Sequence, residues 1–409
     1  MPQRFLLNMI RRAKNYRLGL LAAEVKLFLL NTLPAVNKRE RRLISLKPST
    51  PAAGNVLLAY MNDGFFLKPG EPVPHHHTSY WEAPEIARTF LELGYHVDVI
   101  DENNDRFVPA KPYALFVSNR NNFDRIAPML NPDCVKILHI DSAHWLFHNS
   151  AGYRRLQGLQ QRRGFVLRPR RSLQPSFAIE QADHATVLGN AFTIGTYRHV
   201  NKPFHRLPVA SPLLYPWMED KDLEARRRSF LWLGSGGLVH KGLDLVLDVF
   251  ADMPDYQLTV CGPVTEEPDF TRAYHKELYQ TPNIRTLGWI DIASPQFLEI
   301  ARGCLALVYP SCSEGQSTSV VTCLHAGLIP VISYECGLDV AGFGTILREC
   351  SIAEIKAAIR AISSLPREEL ARRSRQAWEY ARATHTREAF AQEYRKIIST
   401  IIGTTRGLA

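Results

Sequence analysis

Two kinds of hydrophobic pattern alternate along the chain from residue 55 onward. The first is a short, nearly continuous apolar run: NVLLAY from Asn55, YHVDVID from Tyr95, YALFVSN from Tyr113, VKILHID from Val135 and HATVLG from His184. Runs that are apolar on both faces predict strands of a parallel sheet covered on both sides. The second has helical spacing. SYWEAPEIARTFLELG predicts a helix with Gly94 just past its end, where a left-handed cap sits. YRRLQGLQQRRG predicts another, and LRPRRSLQPS after it reads as a loop. FHRLPVASPLL is rich in proline and closes this first unit near Pro212 to Trp217, with KDLEARRR as a charged linker.

A second series begins at SFLWLGSGG. It continues through HKGLDLVLDVFADM, YQLTVCG, FTRAYHKELYQ, NIRTLGW, FLEIARGC, LALVYP and VVTCLHAGLIPVIS. The remainder, from LPREELARRS to YRKIISTII, is a helical tail of mixed charge. The fold class expected is therefore α/β, with two Rossmann-like domains facing across a cleft. Ligands bind such sheets at the C-terminal edges of their strands. The divisions expected are 1–50, a basic arm or helix; 51–217 and 218–385, the two domains; and 386–409, a last helix.

Composition narrows this picture. A chain of 409 residues suits two cores of roughly 150–200 residues each. A hydrophobic fraction of 45% with 22% charged residues excludes disorder as the main state. The net charge of +9 is carried by the first 50 residues, where eleven lysines and arginines face two glutamates; the rest of the chain balances. An excess confined to one arm implies a local contact with an anionic surface such as a membrane leaflet, not a body that coats nucleic acid. The arm's apolar run is interrupted by Glu24 and Lys26, which excludes a membrane span and a clean signal core. Leu18, Leu21, Val25, Phe28 and Thr32 share one helical face, which either packs on the first domain or lies in a membrane interface. A second basic stretch, with no acidic residue between Asp141 and Glu180, holds Arg154, Arg155, Arg162, Arg163, Arg168, Arg170 and Arg171. It reads as a solvated face or as a second anionic contact. Seven scattered cysteines without a CxxC pair imply buried reduced thiols and a cytoplasmic compartment.

Two motifs in the second half carry chemistry. In FLWLGSGGLVHKGLD a strand ends at Leu233, Gly234, Ser235, Gly236 and Gly237 form a tight turn, and Lys241 precedes a helix. Small residues let backbone N–H groups approach an anion, and the lysine adds a full charge. In LALVYPSCSEGQSTSVVTCLHAG a strand delivers Glu314 on a turn, and Gly315, Gln316, Ser317, Thr318 and Ser319 start a helix. The first amides of that helix are unpaired, so a carboxylate that can grip sugar hydroxyls stands beside an anion-binding helix end. No His/Asp cluster has metal-ligand spacing, so no metal and no other cofactor is expected.

The order Gly turn with Lys-Gly, then TLGWI, then YPSCSEG, then AGLIPVI resembles the C-terminal domain of group 1 glycosyltransferases, retaining enzymes of the GT-B fold in glycosyltransferase family 4. The resemblance is strong over about Phe230 to Gly344 and weaker in the first half, through LELGYHVDVID, ILHID and ADHATVLGN. THTREAFAQEYRKII resembles the family's tail helix, which crosses back to the first domain. The resemblance implies an N-terminal acceptor domain and a C-terminal donor-nucleotide domain. It implies that Lys241 neutralises the donor diphosphate, Glu314 binds the transferred sugar, and amides from Ser317 to Ser319 contact phosphate. Gly288, Trp289 and Ile290 would line the nucleobase pocket, and His139, just after the fourth strand, would lie near the reacting sugar or be structural. Two positions depart from the family. Thr322 stands where a second Glu usually grips the ribose, and Ser235 stands where an Arg usually follows the first Gly. The phosphate clamp then rests on Lys241, helped by His240 or by an arginine from elsewhere.

The reaction implied is transfer of a sugar from a nucleotide-sugar donor to a hydroxyl of a glycan or lipid-linked acceptor, in the synthesis of cell-surface polysaccharide or glycoconjugate at the inner membrane face. The alternatives are a catalytically degenerate scaffold or binding subunit of the same fold and a sugar-nucleotide epimerase.

Overall fold

The computed structural model describes residues 42–406. The helix expected at Leu18–Thr32 and most of the basic arm lie outside the described residues. Residues 42–50 do not continue the arm as expected. Their apolar Ile44 and Leu46 form β1 (Ile44–Leu46), which pairs antiparallel with β3 (His96–Ile100) and adds an edge to the first sheet. The other strands of that sheet are β2 (Asn55–Ala59), β4 (Leu115–Ser118), β5 (Val135–Ile140), β6 (His184–Leu188) and β7 (Phe204–Leu207). Their order is β1-β3-β2-β4-β5-β6-β7, parallel apart from β1. β7 falls in the segment read as proline-rich coil. Its sequence FHRL has only one fully buried residue, as suits an edge strand.

The second sheet is wholly parallel, in the order β10-β9-β8-β11-β12-β13. Its strands are β8 (Ser229–Leu233), β9 (Gln257–Cys261), β10 (Ile284–Gly288), β11 (Ala306–Tyr309), β12 (Ile329–Ser333) and β13 (Thr345–Leu347). The central strands β11 and β12 are buried at every residue, because helices cover both faces.

The helices of the first domain are α1 (Ser79–Glu92), α2 (Arg120–Ile126), α3 (Trp145–Arg163), α4 (Ala178–Gln181) and α5 (Ala191–Gly195). Those of the second are α6 (Leu243–Ala251), α7 (Pro268–Ala273), α8 (His275–Tyr279), α9 (Pro295–Arg302), α10 (Thr318–His325), α11 (Ile352–Ser363) and α12 (Arg367–Thr384). α12 packs on α10; after a break at His385 the chain continues as α13 (Arg387–Arg406) and packs on α1 and β7 of the first domain. There Phe390 meets Trp81 edge-on at 5.5 Å, and Tyr394 meets Phe90 at 6.3 Å.

The arginine-rich stretch is largely neither a free surface nor an anionic contact. α3 lies against the second domain, where Arg162 bonds Asp244 at 2.6 Å and Asp248 at 3.1 Å, and Arg163 bonds Asp248 and Glu277. Arg170 pairs with Asp269 at 2.7 Å, and Arg155 donates to the Pro310 carbonyl at 2.9 Å. Three of the carboxylates are buried, so these guanidiniums clasp the two domains together. All seven cysteines are buried and unpaired.

Candidate functional site

The C-terminal edges of the two sheets face one another across a cleft of about 890 Å³. Tyr60, His75, His77, Asp141 and Arg171 line it from the first domain. Gly234, Ser235, Lys241, Trp289, Ile290, Glu314, Gly315, Gln316, Ser317, Thr318, Ser319 and Thr322 line it from the second.

At its centre is a buried ion pair. β8 ends at Leu233, and the turn that follows returns Lys241 to the end of β11, where its Nζ lies 2.9 Å from Glu314 Oε1 and 2.8 Å from the Tyr309 hydroxyl. Ser311 and Tyr309 also donate to Glu314 Oε1, at 3.0 and 3.3 Å. Burial would raise the Glu314 carboxyl, but Lys241 and Arg171 outweigh it and hold the group well below the usual carboxylate range. Burial lowers Lys241, and Glu314 opposes that shift. Glu314 is therefore held ionised against Lys241 before any ligand arrives.

The segment after β11 brings the helix end beside this pair. Ser317 caps α10, but its own N–H is used by the Cys336 carbonyl at 3.0 Å, and the Gln316 side chain accepts from the Val209 N–H at 2.6 Å. The open amides consequently begin at Thr318 and Ser319, one residue later than expected. Gly315 allows the loop to approach the first domain: a Cβ there would lie 2.2 Å from the Asp141 carbonyl oxygen and 2.7 Å from that of Leu188. Thr322 lies in the next turn of α10, buried at the cleft wall.

Five expected positions sit elsewhere. The amides of Gly237 and Leu238 already donate to Glu267, so the second half of the Gly turn holds an internal carboxylate and not a ligand. Gly236 is beside that contact, outside the cleft lining. His240 turns away, with Nε2 2.6 Å from the Ser313 carbonyl, and burial lowers it to about 3, so it supplies no positive charge. His139 lies within β5, 1% exposed, with Nε2 2.7 Å from Glu82 and Nδ1 2.8 Å from Thr186. Both nitrogens are occupied beneath the cleft floor, so His139 can position neighbours but does not line the cleft. Gly288 shapes the turn at the end of β10 with φ of 76°, and it is Trp289 and Ile290 that reach the cleft.

Several residues were not singled out from sequence. Asp141 leaves β5 at the cleft and pairs with Arg120 of α2. Near it, Glu102 accepts from Asn119 and Asn121, and burial followed by the Asp141 charge raises it to about 7. His75 of the first domain bonds Asp291 of the second at 2.6 Å, across the cleft mouth. Arg171 was visible only as one of seven arginines in its stretch. Among the described residues, no group of three or more His, Cys, Asp or Glu side chains could hold a metal ion, and no helix is long and apolar enough to cross a membrane.

No family model matches the sequence, and no curated protein matches it. Solved structures do match its fold. Sucrose-phosphate synthase from Thermosynechococcus elongatus superposes with a TM-score of 0.60 at 14% identity, over 86% of this chain and all of that one. Anabaena HepE, in complex with UDP and glucose, gives 0.53 at 12% identity over 86% and 100%. WaaG, a glycosyltransferase involved in lipopolysaccharide biosynthesis, gives 0.51 at 15% identity over 84% and 99%. Other matches are longer: the chain spans about half of S. aureus TarM, 54% of its length. Two parallel sheets joined across a cleft, with a last helix returning to the first domain, give this chain the GT-B fold of glycosyltransferases.

Proposed function

We propose that the chain is a glycosyltransferase that moves a sugar from a nucleoside-diphosphate donor to a hydroxyl of a glycan or lipid-linked acceptor, with retention and without a metal. The observation that carries this reading is the Lys241–Glu314 pair beside the open amides of Thr318 and Ser319, inside the cleft. In the reaction the bond from the anomeric carbon to the diphosphate breaks, the acceptor oxygen bonds to that carbon, and the acceptor proton is released. Positive charge develops on the sugar and negative charge on the leaving diphosphate. Lys241 and the helix end meet the negative charge with preorganised dipole and ion, the role a metal plays elsewhere. Glu314 accepts hydrogen bonds from sugar hydroxyls, and Asp141 and Tyr60 stand on the acceptor side. Retention follows from the family resemblance. The charge of the N-terminal arm supports work at the inner face of a membrane, in surface polysaccharide or glycoconjugate synthesis.

A thermal-shift panel of UDP-, GDP- and ADP-sugars tests the donor, since a ligand at 100 times its Kd adds about 2.7 kcal/mol to native stability. A donor that shifts Tm and is turned over, with turnover lost in Glu314→Ala of unchanged fold, supports the reading. Binding without turnover under any acceptor favours a binding subunit instead, an outcome that Ser235 and Thr322 give reason to watch for. Flotation with anionic liposomes, lost on deleting residues 1–50, tests the membrane contact; unchanged flotation refutes it.

A further inference from the structure

We propose that Arg171, on the loop that follows α3 in the first domain, is the second cation of the diphosphate clamp and acts across the domain boundary in place of the arginine that Ser235 replaces. This rests on the donor reading above.

Arg171 lines the same cleft as Ser235, Lys241 and Glu314. Its aliphatic stem lies on the Gly turn: a Cβ on Gly237 would come within 2.5 Å of Arg171 Cδ and 2.6 Å of Cγ. A glycine with φ of 86° at that position leaves room for the stem. The guanidinium charge reaches the central pair, since it lowers both Glu314 and Lys241. Arg162, Arg163 and Arg170 each have a carboxylate partner, whereas no carboxylate pairs with Arg171 among the described residues. A cation with no carboxylate bonded to it, beside an anion-binding helix end, is placed for an external anion.

The loop is exposed, yet its backbone is pinned. The Arg171 carbonyl accepts from His148 Nε2 at 3.0 Å. His148 Nδ1 must then be the acceptor from Ser313 Oγ, at 3.1 Å, which ties the loop to the turn that carries Glu314. Two residues on, Leu173 and Asn149 exchange two hydrogen bonds of 2.8 Å. With Lys241 from one domain and Arg171 from the other, a diphosphate would bridge the two domains.

The test is isothermal titration of UDP, GDP and ADP into the full chain and into Arg171→Gln, which keeps the stem over Gly237. The tightest nucleoside diphosphate should bind the variant about 10- to 100-fold more weakly, the range for one charged hydrogen bond. Adding Ser235→Arg to that variant should restore affinity, because Ser235 is exposed at the cleft and the added guanidinium takes the family's usual place. A purely structural Arg171 would not be rescued in this way. Wild-type affinity in Arg171→Gln, at unchanged Tm, overturns the proposal while leaving the donor reading intact. If wild type binds none of the three nucleotides, the donor reading fails and this inference with it.

Discussion

Replacing Glu314 by Gln isolates the energetics of the central pair. Gln keeps the shape and can still accept from Ser311 and Tyr309, so what is lost is the counter-charge of Lys241, a residue 4% exposed. An uncompensated buried charge costs about 3–5 kcal/mol. The alternative open to Lys241 is to lose its proton. From an ordinary value of 10.5 that costs about 5 kcal/mol at pH 7, which caps the loss. At about 2–4 °C per kcal/mol for a domain of this size, Tm falls by roughly 10 °C. Lys241→Met strands the carboxylate in turn and is expected to cost a similar amount. The double variant leaves no unpaired charge and should recover about 2–3 kcal/mol relative to the sum of the singles. Urea unfolding of the four proteins at pH 7 measures this coupling. A coupling below about 0.5 kcal/mol, as for independent sites, would refute the assignment of Lys241 and Glu314 as one preorganised charge pair.

Three further outcomes follow from the geometry. Gly315→Ala places a Cβ 2.2 Å from the Asp141 carbonyl oxygen, so the cleft should open: far-UV circular dichroism is unchanged, small-angle scattering gives a larger radius of gyration, and donor turnover drops at least about tenfold. His148 and His240 are lowered by burial to about 4 and about 3, so they remain neutral in the fold while the unfolded chain takes up protons below about 6.5. Each therefore contributes stability above pH 6.5 that is lost on acidification, by about 1.4 kcal/mol per pH unit toward pH 4, and His240→Gln should flatten that slope in a series of Tm measurements. Glu102 shifts the other way. Raised to about 7, it keeps a proton in the fold that the unfolded chain releases from about pH 4.5, so stability falls as pH rises through that window. Glu102→Gln should then raise Tm by a few degrees at pH 8 and leave it unchanged at pH 4.5; an equal gain at both pH values counts against an ionising Glu102.

The sequence by itself determined the two α/β series, the position of each central strand, and the presence of a lysine after one strand and a glutamate after another, though not that the two side chains bond each other. These are local facts. A strand buried on both faces must be apolar throughout, and a turn that ends in a helix must leave amides open. β1, β7 and β13 escaped the reading because edge strands are half exposed and lack that apolar run. Only the tertiary structure decided which charges are spoken for. Arg162 and Arg163 find carboxylates more than 80 residues away, Glu267 fills the Gly turn from 30 residues away, and His139 is sealed under the floor by Glu82 and Thr186. The same distant pairing leaves Arg171 without a carboxylate beside Lys241, and nothing in its local sequence distinguishes it from the six arginines around it. A buried charge is decided by the partner it meets, and that partner is set by how two domains close, not by the residues next to it in the chain.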